Sequence, residues 1–586
     1  MSPNLKLEET YLVNLPAELL LGILEDPILS LDDLYHVSLV SRRLHTCALS
    51  IFLSRKGIPN PEKSITLDRV VWNPHFPKSK HPRDALAGLN IATFLTGKRV
   101  DHLTCYFQYP NSGYNILQRP DMLYVGVERL SRFVQRLGSL GTVKVYLLSE
   151  RHFLKRDKEM EPSPIHQWHN WANAFSELLN LIVEKRSTDI TIQYDGPNAA
   201  LPAVYGSREK STLFSKLKEM VVRKSAVERA LTRPGWENTI PVNEPRFPRL
   251  SPKAASGRNL TTLCVHSMTL INTSFLQWTL QLLEHSPQLT SLSFAHLTFN
   301  SYDRGEVILS LFADVLWNKS ITDFTVLQSC WSLSTEALLK FINRLEHLVK
   351  LIIDRTFQVR IKYEPTGLLD GFFAKDAYPV PPLRHLQVLE APDELVLHLL
   401  RGQGRTSNPH PLPQLRHLLV YPSSLLVDPE AYRTSIESWR HLLQQVENPP
   451  RLHPLSFALD MQADFPLKYT GVEAYLESRI MSTEDVDELL AGSAFEKISE
   501  AIFYHLDASY AQENPTMFCQ WLKLLFPDLR EVRFTCTLTT LPEQVLEMSD
   551  RTIKALQREL RVKCPGVNRL MVERRVFSKD LNNEWT

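Results

Sequence analysis

The sequence predicts an α/β protein in which three short helices precede a long succession of strand-and-helix units stacked as an irregular solenoid. Three observations predict it. The 586 residues include only 20 Gly but roughly 90 Leu, and Gly stands near half of its usual ~7 % share; such a composition favours leucine-built packing over glycine-dependent phosphate cradles. Residues 15–52 carry apolar positions at helical spacing in three consecutive runs. Beyond them an apolar pattern recurs every 27 to 35 residues, which suits an array that lengthens without enlarging a single core.

The helices come first. Pro16 fits the first position of a helix, where its missing N–H costs nothing, and Leu15, Leu19 and Ile23 follow on one face at four-residue spacing. After Pro27, Ser30 with Asp33 three residues on is a capping-box pattern, placing Leu31, Leu34 and Val37 on one side of a second helix. Val40, Leu44, Ala48 and Ile51 form a third stripe, with Arg42, Arg43 and His45 outside it. Helices this short make a very small core, so the module is expected to share apolar surface with a partner or with the next domain.

These residues are recognisable in sequence. Leu15-Pro16-Ala17-Glu18-Leu19-Leu20, Ile23-Leu24, Asp33-Leu34 and Ser38-Leu39-Val40-Ser41-Arg42-Arg43-Leu44 resemble the F-box, a three-helix motif that docks on a Skp-family adaptor of cullin-based ubiquitin ligases. The chain departs from the family pattern in a slightly longer stretch between Ile23-Leu24 and Asp33-Leu34, and in Leu44 where an aromatic often follows the paired basic residues. The resemblance divides the chain into a flexible N-terminus (1–11), an F-box (12–58) and the solenoid (59–586). It implies a non-catalytic substrate-recognition subunit of an SCF-type cullin–RING E3 ubiquitin ligase. The F-box would hold the Skp-family adaptor and, through it, the cullin and RING subunits, while the solenoid holds an unidentified target protein; catalysis would then be proximity alone. Implied adaptor contacts are Leu15, Pro16, Leu19, Leu20, Ile23, Leu24, Leu34, Val37, Val40 and Leu44, with Arg42 and Arg43 at a polar rim. The alternative is a ligase-independent scaffold that binds the adaptor without cullin.

The remaining chain repeats. An apolar residue, two variable residues, an apolar residue, one variable residue and another apolar residue recur at Leu260-Leu263-Val265, Leu289-Leu292-Phe294, Ile321-Phe324-Val326, Leu348-Leu351-Ile353, Leu383-Leu386-Val388 and Leu415-Leu418-Val420. Looser copies occur at Val100-Leu103-Cys105, Ile498-Ala501-Phe503, Leu529-Val532-Phe534 and Val567-Leu570-Val572, with strands expected near 143–148, 190–194 and 455–459. Between them, 275–283, 307–316, 336–345 and 518–525 read as helices. One strand and one helix per repeat, neither able to bury its own apolar face, stack into a solenoid. The period resembles that of leucine-rich repeats, although the Asn that usually ends their strand-turn signature is missing from most copies. The fold class is therefore an N-terminal three-helix F-box followed by an irregular leucine-rich-repeat-like α/β solenoid.

Charge and chemistry narrow the function. Lys and Arg number 66 against 65 Asp and Glu, a net of +1, which provides no global field for nucleic acid or an anionic membrane. Residues 205–258 depart from this balance, with 12 Lys and Arg against 5 Asp and Glu, a local net of +7 that leaves the rest at −6. Their first part suits an amphipathic helix (Leu213, Leu217, Val221) and their Pro-containing second part an extended loop. The insertion reads either as a basic contact arm or as a solvated surface segment.

Seven scattered cysteines (Cys47, Cys105, Cys264, Cys330, Cys519, Cys536, Cys564) form no C-x-x-C pair, as expected of reduced thiols. With no apolar leader and no long uncharged apolar run, the expected setting is the cytoplasm or nucleus, without membrane insertion. Nucleotide, nucleophile-elbow and H-E-x-x-H motifs are missing, so neither cofactor nor metal is expected. His166 with His169, and His102 with Cys105, suit packing or surface roles better than a zinc site.

For the target, residues between the apolar positions of each repeat face solvent on the strand side. Along the series they change from Thr and Ser to Arg384, His385, Arg416, His417, Arg530 and Arg533. This row suits either an acidic or phosphorylated segment, or solubility alone.

Overall fold

The computed structural model describes residues 15–68, 70, 84–107, 120–147, 165–193, 249–327 and 335–354, then 383–399, 412–421, 456–461, 500–503, 515–534, 549–580 and 584–585, with short breaks inside several of these. Residues 1–11, most of the basic insertion and the side chains of His166 and His169 lie outside them. The chain divides into two compact units: residues 1–300 with 307–319, and residues 301–306 with 320–586.

In the first unit, α1 (Ala17–Leu24), α2 (Leu31–Val37) and α3 (Arg42–Arg55) form the N-terminal module. Six strands follow: β1 (Ser64–Leu67), β2 (Arg99–Tyr106), β3 (Ser139–Tyr146), β4 (Asp189–Gln193), β5 (Thr262–His266) and β6 (Ser291–Ala295). They pair in parallel, each with its successor in sequence. The helices between them are α4 (Ala85–Ile91), α5 (Pro120–Arg136), α6 (Ile165–Glu184), α7 (Pro252–Ser256) and α8 (Thr273–His285); α9 (Tyr302–Leu316) follows β6. Parallel pairing of consecutive strands requires such crossovers.

The register confirms the apolar repeat. Ile65, Leu103, Val143, Ile190, Leu263 and Leu292 stand side by side, as do Leu67, Cys105, Val145, Ile192, Val265 and Phe294, and all are buried. Alternate residues are half-buried or exposed on the open face, apart from the buried Val100 of β2, Leu140 of β3, and Ser293 and Ala295 of β6. Beneath the buried face, Trp171 stacks on Phe175 at 5.3 Å and Phe275 meets both edge-on, while Phe294 meets Phe312 of α9.

Cations one repeat further on close the helix C-termini. Arg136 donates to the carbonyls of Asn90 and Ala92 after α4, Lys185 to those of Gln135 and Leu137 after α5, and Lys319 to Glu284 of α8. These carbonyls have no partner within their own helix. Burial pulls the Lys185 and Lys319 ammonium groups below the ordinary lysine range, so the contacts bring charge into partly dry surroundings. At the tightest corner Gly97 has φ +75°, and a Cβ on Gly138 would lie 2.2 Å from its carbonyl oxygen, which excludes any side chain at 138.

The end of the basic insertion is folded. Residues 249–256 were expected as extended loop, yet Pro252 begins α7, and side chains of neighbouring helices grip the segment. Asn180 contacts Arg249 and Ser251, Glu184 accepts from the Ser251 hydroxyl, and Gln281 accepts from the Leu250 amide. Pro at the first turn of a helix loses no hydrogen bond.

The second unit contains β7 (Asp323–Leu327), β8 (Lys350–Ile353), β9 (Val388–Pro392), β10 (His417–Tyr421), β11 (Ser456–Met461), β12 (Glu500–Phe503), β13 (Glu531–Phe534), β14 (Arg569–Val572) and β15 (Arg575–Ser578). It also contains α10 (Thr335–Ile342), α11 (Pro515–Leu525) and α12 (Asp550–Lys563). Successive strands are again parallel, until β15 turns back antiparallel on β14. Phe324 packs on Phe341 and Phe534 on Phe518, fixing α10 and α11 on the buried face. At the end, the Trp585 indole donates to Gln557 of α12 and lies beneath the Lys579 ammonium.

One repeat is corrected. β9 pairs Leu389 with Leu351 and Leu418, so the unit is Leu386-Leu389-Ala391 and not Leu383-Leu386-Val388. Three leucines spaced by three fit either phase. The decision rests on hydrogen bonds from the Gln387 and Val388 amides to the Val349 carbonyl. Intervals of 35 and 32 become 38 and 29, and Arg384 and His385 move off the strand into the turn before it.

Candidate functional site

The N-terminal module has more apolar surface than its core can use. In α1, Leu20 and Leu24 point inward and are buried, whereas Leu19 and Ile23, one residue out of phase, are 58 % and 44 % exposed. A helix with two apolar stripes buries one in its own unit and presents the other. Leu21, Ile28, Leu39 and Val40 are exposed as well. Six of the ten large apolar side chains exposed among the described residues thus fall between 19 and 40, the concentration expected of an interaction surface.

The implied adaptor contacts therefore separate. Leu20, Leu24, Leu34 and Leu44 are core, packed with Ala48, Leu49, Phe52 and Leu53 of α3, and Tyr35 meets the Phe52 ring edge-on at 5.9 Å. Pro16, Leu19, Ile23 and Val40 are exposed, Leu15 and Val37 half-buried. Leu21, Ile28 and Leu39 are exposed without having been singled out in the sequence; the triple Leu19-Leu20-Leu21 signals Leu21, since one helical face cannot absorb adjacent apolar residues.

Polar contacts hold this surface in shape. Ser30 accepts from the Asp33 amide, and its hydroxyl and amide both donate to the Asp33 carboxylate, completing the capping box. Those two bonds, the hydroxyl's first, hold the Asp33 carboxyl below the usual carboxylate range. Arg43, expected at the rim, donates to the Leu15 carbonyl at 2.6 Å. Arg55 reaches back from the end of α3 to the carbonyls of Glu25, Asp26 and Leu29 at 2.8, 2.9 and 2.7 Å. His45 bonds the Ser38 carbonyl through Nδ1 and accepts from the Thr93 amide through Nε2.

The module is joined firmly to the sheet of its own unit. A Cβ on Gly88 would lie 2.6 Å from the Phe52 ring, so α4 meets α3 where no side chain intervenes. Asp84 caps α4 by accepting from the Ala87 amide and pairs with Arg129 of α5 at 2.6 Å.

The open strand face of the first unit is neutral and rich in hydroxyls. One row runs Thr66, Thr104, Lys144, Thr191, Cys264, Ser293; another holds Tyr106 and Tyr146, stacked at 4.5 Å, then Gln193 and His266, which bonds Ser293. In the second unit the row is charged: Glu531 pairs with both Arg533 and Arg569. His385 stacks near His347 in the turns preceding the strands, Arg416 is exposed ahead of β10, His417 opens β10, and Arg530 is exposed ahead of β13. At about 4.8 Å per strand, β9 and β13 are ~19 Å apart, so these groups form a spaced row and do not converge on one anion.

The buried cysteines are chemically quiet. Burial pushes the Cys105 and Cys519 thiols far up and Cys564 to about 11, leaving little thiolate. Cys105 and His102 point to opposite faces of β2, one buried and one exposed. Among the described residues no group of three His, Cys, Asp or Glu is placed to hold a metal ion, and no helix is long and apolar enough to cross a membrane.

A compact three-helix module with an exposed apolar face thus precedes the sheet region of the first unit. Residues 12–56 match the F-box-like family, which covers all three helices and the apolar surface. No curated protein matches the chain.

Proposed function

We propose that the chain is the substrate-recognition subunit of an SCF-type cullin–RING E3 ubiquitin ligase. The carrying observation is the apolar surface at residues 19–40 on a module that matches the F-box-like family. Members of that family generally bind Skp-family adaptors. In this reading the described region beyond residue 58 is an irregular leucine-rich-repeat-like solenoid, supported by parallel strands in sequence order and by apolar positions in register.

The protein contributes no catalytic group and acts in the cytoplasm or nucleus. Its rate effect is proximity: the Phe52–Gly88 and Asp84–Arg129 contacts limit how far the adaptor-bound module swings against the first unit's sheet, which raises the effective concentration of a bound target. The open strand faces and the turns that lead into them receive the target, with Arg384, His385, Arg416, His417, Arg530 and Arg533 as candidate contacts for an acidic segment. The pairing of Arg533 with Glu531 gives it a smaller share than the exposed Arg384.

Co-purification with wild type, Leu19→Asp and Ile23→Asp tests the reading. Both residues are exposed, so either change leaves folding intact. The adaptor and cullin should accompany wild type, and neither should accompany the variants; undiminished adaptor capture by both variants overturns it. Adaptor without cullin on the wild type identifies the ligase-independent scaffold.

A further inference from the structure

We infer that Ile28, on the turn between α1 and α2, is an additional anchor for the same Skp-family adaptor and sets part of this chain's affinity for it. The inference rests on the functional reading above and extends it to a residue that the sequence resemblance does not assign.

At 86 % Ile28 is the most exposed large apolar side chain among the described residues. A solvent-exposed isoleucine alone is ordinary; its setting is not. The Ile28 amide donates to the Asp26 side chain at 2.9 Å and the Leu29 amide to the Asp26 carbonyl at 3.1 Å. Pro27 restricts the backbone between them. Across the turn lies the Arg55 guanidinium, bonded to the carbonyls of Glu25, Asp26 and Leu29, so the backbone on both sides of Ile28 is held from α3. The turn is thus ordered before any partner arrives.

That ordering decides what Ile28 is suited to do. A side chain on a mobile loop loses conformational freedom when it docks, whereas one on a pinned turn surrenders little beyond its rotamers. Arg55 closes the C-terminus of α1, and the same guanidinium, by holding Leu29 as well, fixes the turn in the form that presents Ile28 to solvent.

Continuity names the occupant. Ile23 is the last exposed apolar residue of α1, and Ile28 lies five residues on, past the exposed Glu25 and Asp26. An apolar anchor beside charged neighbours is the composition of an interface core meeting its rim. One adaptor surface that covers Leu19 and Ile23 therefore extends over Ile28.

The test uses the full chain and a purified Skp-family adaptor, with affinity and melting temperature measured for wild type, Ile28→Ser, Ile28→Leu, Arg55→Ala and Ile23→Asp. Ile28→Ser should weaken binding about tenfold, chiefly through faster dissociation, with an unchanged melting temperature. Ile28→Leu should retain most of the affinity, and Arg55→Ala should lose part of it. Wild-type affinity for Ile28→Ser beside lost binding for Ile23→Asp overturns the inference and leaves the F-box reading standing. Wild-type affinity for both variants overturns the two together. Loss of self-association by Ile28→Ser, with adaptor affinity unchanged, overturns it in favour of a second copy of the chain as occupant.

Discussion

The N-terminal module and the sheet behind it in the first unit use the same residue types in opposite ways. Leu103, Leu263 and Leu292 are buried in one row that crosses the strands, whereas Leu19, Leu21 and Leu39 face water. In the sheet region each strand pairs with its successor and sets its buried apolar residues beside those of the next strand. A module of three short helices has no such neighbour on its outer face. The difference shows that a leucine-rich chain can reserve a binding surface by leaving one small unit short of partners.

The comparison breaks most severely at the aromatic cluster. Phe175→Ala removes a ring stacked on Trp171 and edge-on to Phe275; it should cost about 3–5 kcal/mol of stability, read by denaturant unfolding, while adaptor affinity at low temperature stays as in wild type. The combined Leu19→Asp and Ile23→Asp variant should do the reverse. Adaptor affinity should fall at least 100-fold, or about 2.7 kcal/mol, with unfolding unchanged, and a lowered melting temperature would show that these residues belong to the core after all.

Gly88→Ala tests the seam between the two regions. The new methyl meets the Phe52 ring, so a loss of about 1–3 kcal/mol is expected, measured as a lower melting temperature at constant adaptor affinity. The smallest effects lie at the capping box. Ser30→Ala should cost about 1 kcal/mol, and Asp33 should confer a slight acid sensitivity. Its folded pKa lies below the unfolded value, so its contribution is present above the unfolded pKa and is lost as pH falls through the folded one. Asp33→Asn should flatten that limb of a melting temperature profile recorded against pH.

How much was legible follows from the range of each interaction. The capping box of Ser30 and Asp33 spans three residues, and the strand repeat depends on alternation along a short segment; both were readable from spacing. The phase at β9 was not, because Leu383, Leu386 and Leu389 satisfy two registers equally and only backbone bonds to β8 choose. That Leu20, Leu24, Leu34 and Leu44 among the implied adaptor contacts are buried within the module was not legible for a similar reason. Apolar character marks a residue as burying surface without saying whether its own unit or a partner covers it.

By itself the sequence determined a short helical module followed by recurring strand-and-helix units, since helix starts and apolar periodicity are local properties of consecutive residues. Only the tertiary structure decided which apolar stripe of α1 faces out, and that Arg55 pins the turn carrying Ile28 from 26 to 30 residues away. It alone decided that α4 must carry glycine where it meets Phe52. Those outcomes depend on atoms distant along the chain, whose contacts exist only after the helices have packed.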